Sequence, residues 1–134
     1  MPATLVLDSH ALLSLFRAEA GGEQVKELLH KAATADRTLH MSEVNYAEFK
    51  YTLLRKDGPA AWAQAAEVLT SLPILFHPAT RALADLTADF KARHKLSLAD
   101  AFAAALAKEK KAELVTGDPE FKAVEKEIKV RWLT

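Results

Sequence analysis

The sequence predicts an α/β fold in three layers, with helices covering both faces of a central, mostly parallel sheet of about five strands. Two observations carry this. Short apolar runs rich in strand formers alternate along the whole chain with segments of helical periodicity. The first of those runs, Thr4-Leu5-Val6-Leu7, is apolar on both faces, as a strand in the middle of a parallel sheet must be.

The elements follow in order. The first strand stops at Asp8-Ser9, and a helical pattern with Leu12, Leu13, Leu15 and Phe16 begins, broken by Gly21-Gly22. A second helix spans about Glu23 to Ala35, with Val25, Leu28, Leu29 and Ala32 on one stripe. Thr38 to Met41 is a strand, and Ser42 is placed to cap a helix reaching Lys56. Asp57-Gly58-Pro59 is a turn, after which a helix runs to about Ser71 with Pro59 near its start, where proline is tolerated. Pro73 to Phe76 is a short strand. Helices over about Thr80–Arg93 and Leu98–Lys110 lead to a strand, Glu113–Thr116, that ends at Gly117-Asp118. Ile128 to Trp132 alternates apolar and basic residues, which suits a half-exposed strand at a sheet edge.

The 134 residues suit one domain, expected over 1–134, with no repeats and no linker. Half the residues are hydrophobic and 27% are charged, the composition of a folded protein. There is no cysteine, which removes disulfides, thiolate zinc sites and thiol nucleophiles. The N-terminus carries no basic region followed by a long apolar one, and no apolar stretch reaches the roughly 18 residues of a membrane span. The expectation is a cytoplasmic protein with no membrane association. Eighteen basic residues balance 18 acidic ones. A net charge of zero disfavours a protein that coats nucleic acid non-specifically, but it leaves room for a local basic groove.

The acidic residues are the informative ones. Ligands of an open parallel sheet bind beyond the carboxyl ends of its strands. Asp8 ends the first strand and Asp118 follows the fourth, and right-handed crossovers bring both to the same edge. Each also has a plain structural role available: Asp8 as an N-cap, and Asp118 as an N-cap ahead of Pro119. Asp100 is less easily explained. From Leu98 to Ala107 nine of ten residues are apolar and Asp100 is the exception, so it lies on a helix that is apolar all round and therefore buried. A lone carboxylate there costs several kcal/mol unless it is paired, protonated or metal-bound. Ser97 three residues earlier also permits a capping-box role. Glu48 is the weakest of the four by pattern, since it shares a polar helix sector with Asn45, Thr52 and Arg55, as on a solvated face. Carboxylates meeting at one edge repel each other. Hard divalent cations such as Mg²⁺ relieve this through oxygen ligands and bind phosphates, so the pattern points first to phosphoryl chemistry.

Four segments carry a resemblance. They are Val6-Leu7-Asp8-Ser9-His10-Ala11-Leu12-Leu13, Met41-Ser42-Glu43-Val44-Asn45-Tyr46-Ala47-Glu48, Leu96-Ser97-Leu98-Ala99-Asp100-Ala101, and Leu114-Val115-Thr116-Gly117-Asp118-Pro119-Glu120-Phe121. In this order and spacing the chain resembles the PIN-domain nucleases, most closely the VapC-type toxins of toxin–antitoxin pairs. The resemblance implies a PIN-like three-layer α/β/α fold and a Mg²⁺- or Mn²⁺-dependent endoribonuclease. Asp8, Glu48, Asp100 and Asp118 would be both its catalytic and its metal-binding residues. It selects Glu48 over Glu43, places Thr116 as a small hydroxyl near the metal, and matches Glu120 to a less regular accessory acid. It also implies a homodimer, an RNA substrate and a cognate antitoxin that blocks the acidic site. The residues assigned to the substrate are Ser9, Thr116, Arg93 and Lys95. Lys50, Arg55 and Lys56 are further candidate phosphate contacts, and cations completing a helix C-terminus are the plainer account of Arg93-His94-Lys95. The five histidines show no metal-ligand spacing and are read as structural or surface residues. Two alternatives stay open. One is another phosphoryl-transfer enzyme on a doubly wound sheet, although Asp8 lacks the second acid of a dehalogenase-like phosphatase or a receiver domain. The other is a catalytically silent PIN module that binds RNA.

Overall fold

A computed structural model describes residues 2–134. The described chain forms one five-stranded sheet of order β3-β2-β1-β4-β5, and every neighbouring pair is parallel. The strands are β1 (Leu5–Leu7), β2 (Leu39–Ser42), β3 (Ile74–His77), β4 (Glu113–Thr116) and β5 (Lys129–Trp132). The helices are α1 (Ser9–Phe16), α2 (Gly22–Thr34), α3 (Glu43–Leu69), α4 (Arg81–Arg93) and α5 (Leu98–Lys110), with a 3₁₀ turn over Pro119–Val124.

The period-2 alternation of a strand explains how β1 serves two cores at once. Val6 and Leu114 point to one face and pack with Phe90, Leu106 and Phe121, under α4 and α5. Leu5, Leu7 and Val115 point to the other face and meet Val25 and Leu29 of α2. Leu12, Met41, Phe49 and Leu53 extend that second layer under α1 and α3. All three residues of β1 are buried. The edge strands β3 and β5 are only partly covered, as the mixed composition of β5 predicts.

Most boundaries fall within one or two residues of the sequence expectation. The break expected at Asp57-Gly58-Pro59 is real. Gly58 has φ 90° and ψ 176°, a conformation that only glycine adopts without strain, so α3 consists of two helices meeting at a corner. Alanine dominates α5, where Ala101, Ala103, Ala104, Ala105 and Ala107 are all buried. Small side chains let this helix lie close to the sheet, and its first turn therefore reaches the carboxyl ends of β1 and β4.

Candidate active site

Each acidic residue reaches the strand edge by a local device. Asp8 leaves β1 as the N-cap of α1, its Oδ1 accepting from the Ala11 N–H at 2.8 Å. Asp118 caps the 3₁₀ turn by accepting from the Glu120 N–H at 3.0 Å, with Pro119 at the first position. Ser97 caps α5 by accepting from the Asp100 N–H at 3.1 Å. The N-caps at Asp8, Ser97 and Asp118 are therefore real, and Asp8 and Asp118 cap while standing at the strand edge.

A cavity of about 300 Å³ opens there, lined by Ser9, His10, Glu48, Thr52, Ser97, Asp100, Asp118 and Glu120, with Leu13. One carboxylate oxygen each from Asp100, Asp118 and Glu120 lies within 4.8 Å of the others. Glu48 comes in from α3 and accepts a hydrogen bond from the Ser9 hydroxyl. It sits at the cavity, not on the solvated face that its helix pattern suggests. Asp8 lies behind the cavity wall, 1% exposed, with both carboxylate oxygens engaged: Oδ2 accepts from the Thr116 hydroxyl at 2.5 Å.

Electrostatics separate the two buried acids. Burial pushes the Asp8 carboxyl up to about 7. The Thr116 hydroxyl and the Ala11 N–H pull it down, while Asp118 and Glu48 push it up. Burial raises Asp100 to about 8, and the carboxyl of Glu120 and the charges of Asp118, Asp8 and Glu48 all push the same way. Among the described residues, no lysine or arginine lines the cavity to offset them. An all-oxygen acidic donor set without an internal cation fits a hard divalent ion such as Mg²⁺ or Mn²⁺.

The residues expected at the substrate divide differently. Ser9 lines the cavity and is held to Glu48. Thr116 is fully buried. Its hydroxyl donates to Asp8 and accepts from the Asp118 N–H at 3.0 Å, so it positions two acids and does not face a substrate. Arg93 donates to Glu127 Oε2 at 2.8 Å, with His94 on the same oxygen at 2.5 Å, and it is not part of the cavity. Glu127 is 34 residues away in sequence, so no local pattern signals this pairing. Lys95 is exposed, one residue before Leu96 and two before the cavity residue Ser97. Lys50 lies over the Trp62 ring at 5.1 Å and Arg55 over the Tyr51 ring at 5.0 Å.

Two further residues escape the sequence reading. Asn45, placed there on a polar sector, is fully buried. Its side chain accepts from the Ser42 hydroxyl at 2.5 Å and donates to the Ala99 carbonyl at 3.0 Å, which ties the start of α3 to the first turn of α5. Glu48 and Asp100 are thereby brought to the same opening. The N-cap spacing Ser42–Asn45 was a readable signal, but the link to Ala99 spans 54 residues. His10 lines the cavity among the acids although its sequence context suggests nothing of the kind.

Comparison with known proteins agrees with this architecture. No curated protein matches the sequence. Among solved structures, VapBC2 from Rickettsia felis bound to a DNA fragment from their promoter superposes with a TM-score of 0.74 at 14% identity, covering 98% of this chain and 99% of the other. VapC20 of Mycobacterium tuberculosis, a sarcin-ricin loop cleaving toxin, gives 0.73 at 22% identity over 90% of this chain and 95% of its own. A toxin–antitoxin complex from Klebsiella pneumoniae gives 0.67 at 17% identity, over 90% of each chain. At these identities the likeness establishes a shared fold. The family model described as PIN domain matches residues 5–127, nearly the whole chain, and by that match the chain belongs to the PIN-domain family.

Proposed function

We propose that this chain is a divalent-metal-dependent endoribonuclease, the toxin of a VapBC-type toxin–antitoxin pair, acting in the cytoplasm. Family membership and the shared fold support the class. The observation that carries the chemistry is the gathering of Glu48, Asp100, Asp118 and Glu120 around one cavity that, among the described residues, no lysine or arginine lines. Asp8 stands directly behind it. Folding this much like charge together costs free energy unless a cation shares the site.

Asp100, Asp118 and Glu120 would hold Mg²⁺ or Mn²⁺, with Asp8 and Glu48 completing the negative field. When bound, the cation supplies charge neutralisation and Lewis acidity at an RNA phosphodiester. The protein's own residues hold the geometry. Thr116 fixes Asp8 relative to Asp118, Ser9 holds Glu48, and Asn45 holds α3 against α5. Lys95, exposed two residues before the cavity residue Ser97, would meet the RNA backbone. An aspartyl-phosphate chemistry suits the site less well, since both oxygens of Asp8 are held by protein donors and the side chain is buried. A homodimer and a cognate antitoxin covering the acidic opening complete the reading. The structural relatives whose descriptions name toxin–antitoxin complexes support the partner.

The test is cleavage of a panel of labelled structured RNAs with Mg²⁺, with Mn²⁺ and with EDTA, comparing the protein with its Asp100→Asn variant. Cleavage that needs the metal and disappears in the variant is expected. A well-folded protein that cuts none of the RNAs with either metal would overturn the assignment.

A further inference from the structure

Among the described residues, one nitrogen-bearing side chain, His10, lines the acidic cavity. It stands in the first turn of α1, two residues after Asp8, and its side chain lies among Glu48, Asp100, Asp118 and Glu120. Two observations show that the ring has a built seat there. The Gly117 N–H donates to His10 Nδ1 at 3.3 Å, a contact spanning 107 residues. A Cβ at position 117 would come within 2.6 Å of the ring's Cε1, so the glycine leaves the space the imidazole occupies. An Nδ1 that accepts from a backbone amide places the ring proton on Nε2, which makes Nε2–H a donor. The other side-chain donors lining the cavity, Ser9, Thr52 and Ser97, are hydroxyls. Ser9 donates to Glu48, and Arg93, outside the cavity, is held by Glu127.

We propose that His10 is a substrate-contacting residue whose Nε2–H donates to a non-bridging oxygen of the RNA phosphate entering the acidic site. A phosphodiester brings its own negative charge to a cavity otherwise walled by carboxylates. An N–H donor in the cavity lining orients that group and adds no further negative charge. Gly117 is the complementary residue, because only a residue without a side chain lets the ring stand against the β4 end and keep Nδ1 occupied. The proposal rests on the ribonuclease reading above for the identity of the substrate, but not for the donor geometry.

The experiment measures kcat and KM for RNA cleavage in the wild type, His10→Ala and His10→Gln. Mn²⁺ affinity is measured without RNA, and RNA affinity is measured by fluorescence anisotropy in Ca²⁺. Losing a contact made equally in ground and transition state raises KM and spares kcat. His10→Ala is therefore expected to raise KM by about tenfold, with kcat and Mn²⁺ affinity within about twofold of wild type, because losing one hydrogen bond to a charged group is an effect of that order. His10→Gln carries an amide nitrogen near the position of Nε2 and should recover part of the loss. Wild-type KM in His10→Ala would overturn the proposal. So would a large fall in Mn²⁺ affinity, which would make His10 a support of Asp118 or a ligand. If the wild type cleaves no RNA, the ribonuclease reading fails by itself and the anisotropy decides on His10: weaker RNA binding by His10→Ala sustains the contact, while equal binding, or none by either protein, removes it.

Discussion

Asp8 and Asp100 are both buried carboxylates at the same sheet edge, and both are held well above the usual carboxylate range. The protein treats them in opposite ways. Asp8 is given donors: the Ala11 N–H takes one oxygen and the Thr116 hydroxyl the other. Asp100 is given like charge: Glu120, Asp118, Asp8 and Glu48 all raise its proton affinity, and no donor lowers it. A carboxylate surrounded by donors is a structural fixture that stabilises the fold as it stands. A carboxylate surrounded by carboxylates is a cost accepted for a ligand that the fold does not itself contain. The site is thus built in two tiers, a satisfied anchor at the back and a frustrated cluster at the front.

Substituting each tier separates them. Asp100→Asn should abolish metal-dependent cleavage, by roughly a hundredfold or more, while leaving the metal-free protein as stable as wild type or more so, because it removes repulsion. Asp8→Asn should also lose activity but should lower the melting temperature, since its amide nitrogen cannot accept from both donors. Cleavage assays with thermal unfolding in EDTA check both. Equal stability changes in the two variants would erase the distinction between anchor and cluster. Thr116→Val comes next. It leaves an Asp8 oxygen without its hydroxyl donor and the Asp118 N–H without its acceptor, and should cost about 1–3 kcal/mol in chemical denaturation.

The pH dependence sharpens the comparison further. Both acids bind their protons more tightly folded than unfolded, with folded values of about 7 for Asp8 and about 8 for Asp100 against 3.8. Their contribution to stability is fully present below about pH 4 and is lost as pH rises through the folded values. In EDTA the melting temperature should therefore fall as pH rises from about 4 to 8, with a slope of at most roughly 1.4 kcal/mol per pH unit for each proton. Saturating Mg²⁺ should flatten that fall, and Asp100→Asn should flatten it without metal. A slope unaffected by either would contradict the electrostatic picture. The smallest effect is expected from Arg93→Ala. Because the guanidinium is exposed and bound to Glu127, KM for RNA should change by less than about twofold.

Much of this fold is legible in the sequence because its elements are locally coded. Apolar runs, capping residues and Gly58-Pro59 are short-range signals, and they place strand and helix ends within a residue or two. Asp8 and Asp118 are legible for the same reason, as residues that end strands. Asp100 is legible because one charge interrupts an apolar helix. Glu48 is not: its helix neighbours suggest solvent, and only the resemblance selects it. Asn45 and Arg93 are misplaced in the sequence reading because their settings depend on partners 54 and 34 residues away, a backbone carbonyl and an acid that periodicity does not register.

What the sequence by itself determined is the order of elements, the burial of β1 on both faces and the arrival of carboxylates at strand ends, since these follow from periodicity and from the connection rules of parallel sheets. Only the tertiary structure decided what each carboxylate would meet there. Packing through an alanine-rich helix set Asp100 beside Asp118 and Glu120, the Thr116 hydroxyl 108 residues away claimed Asp8, and a glycine 107 residues away made room for His10. The physical reason is that proton affinity and donor satisfaction are set by atoms within a few ångströms in space, a neighbourhood the chain acquires only on folding.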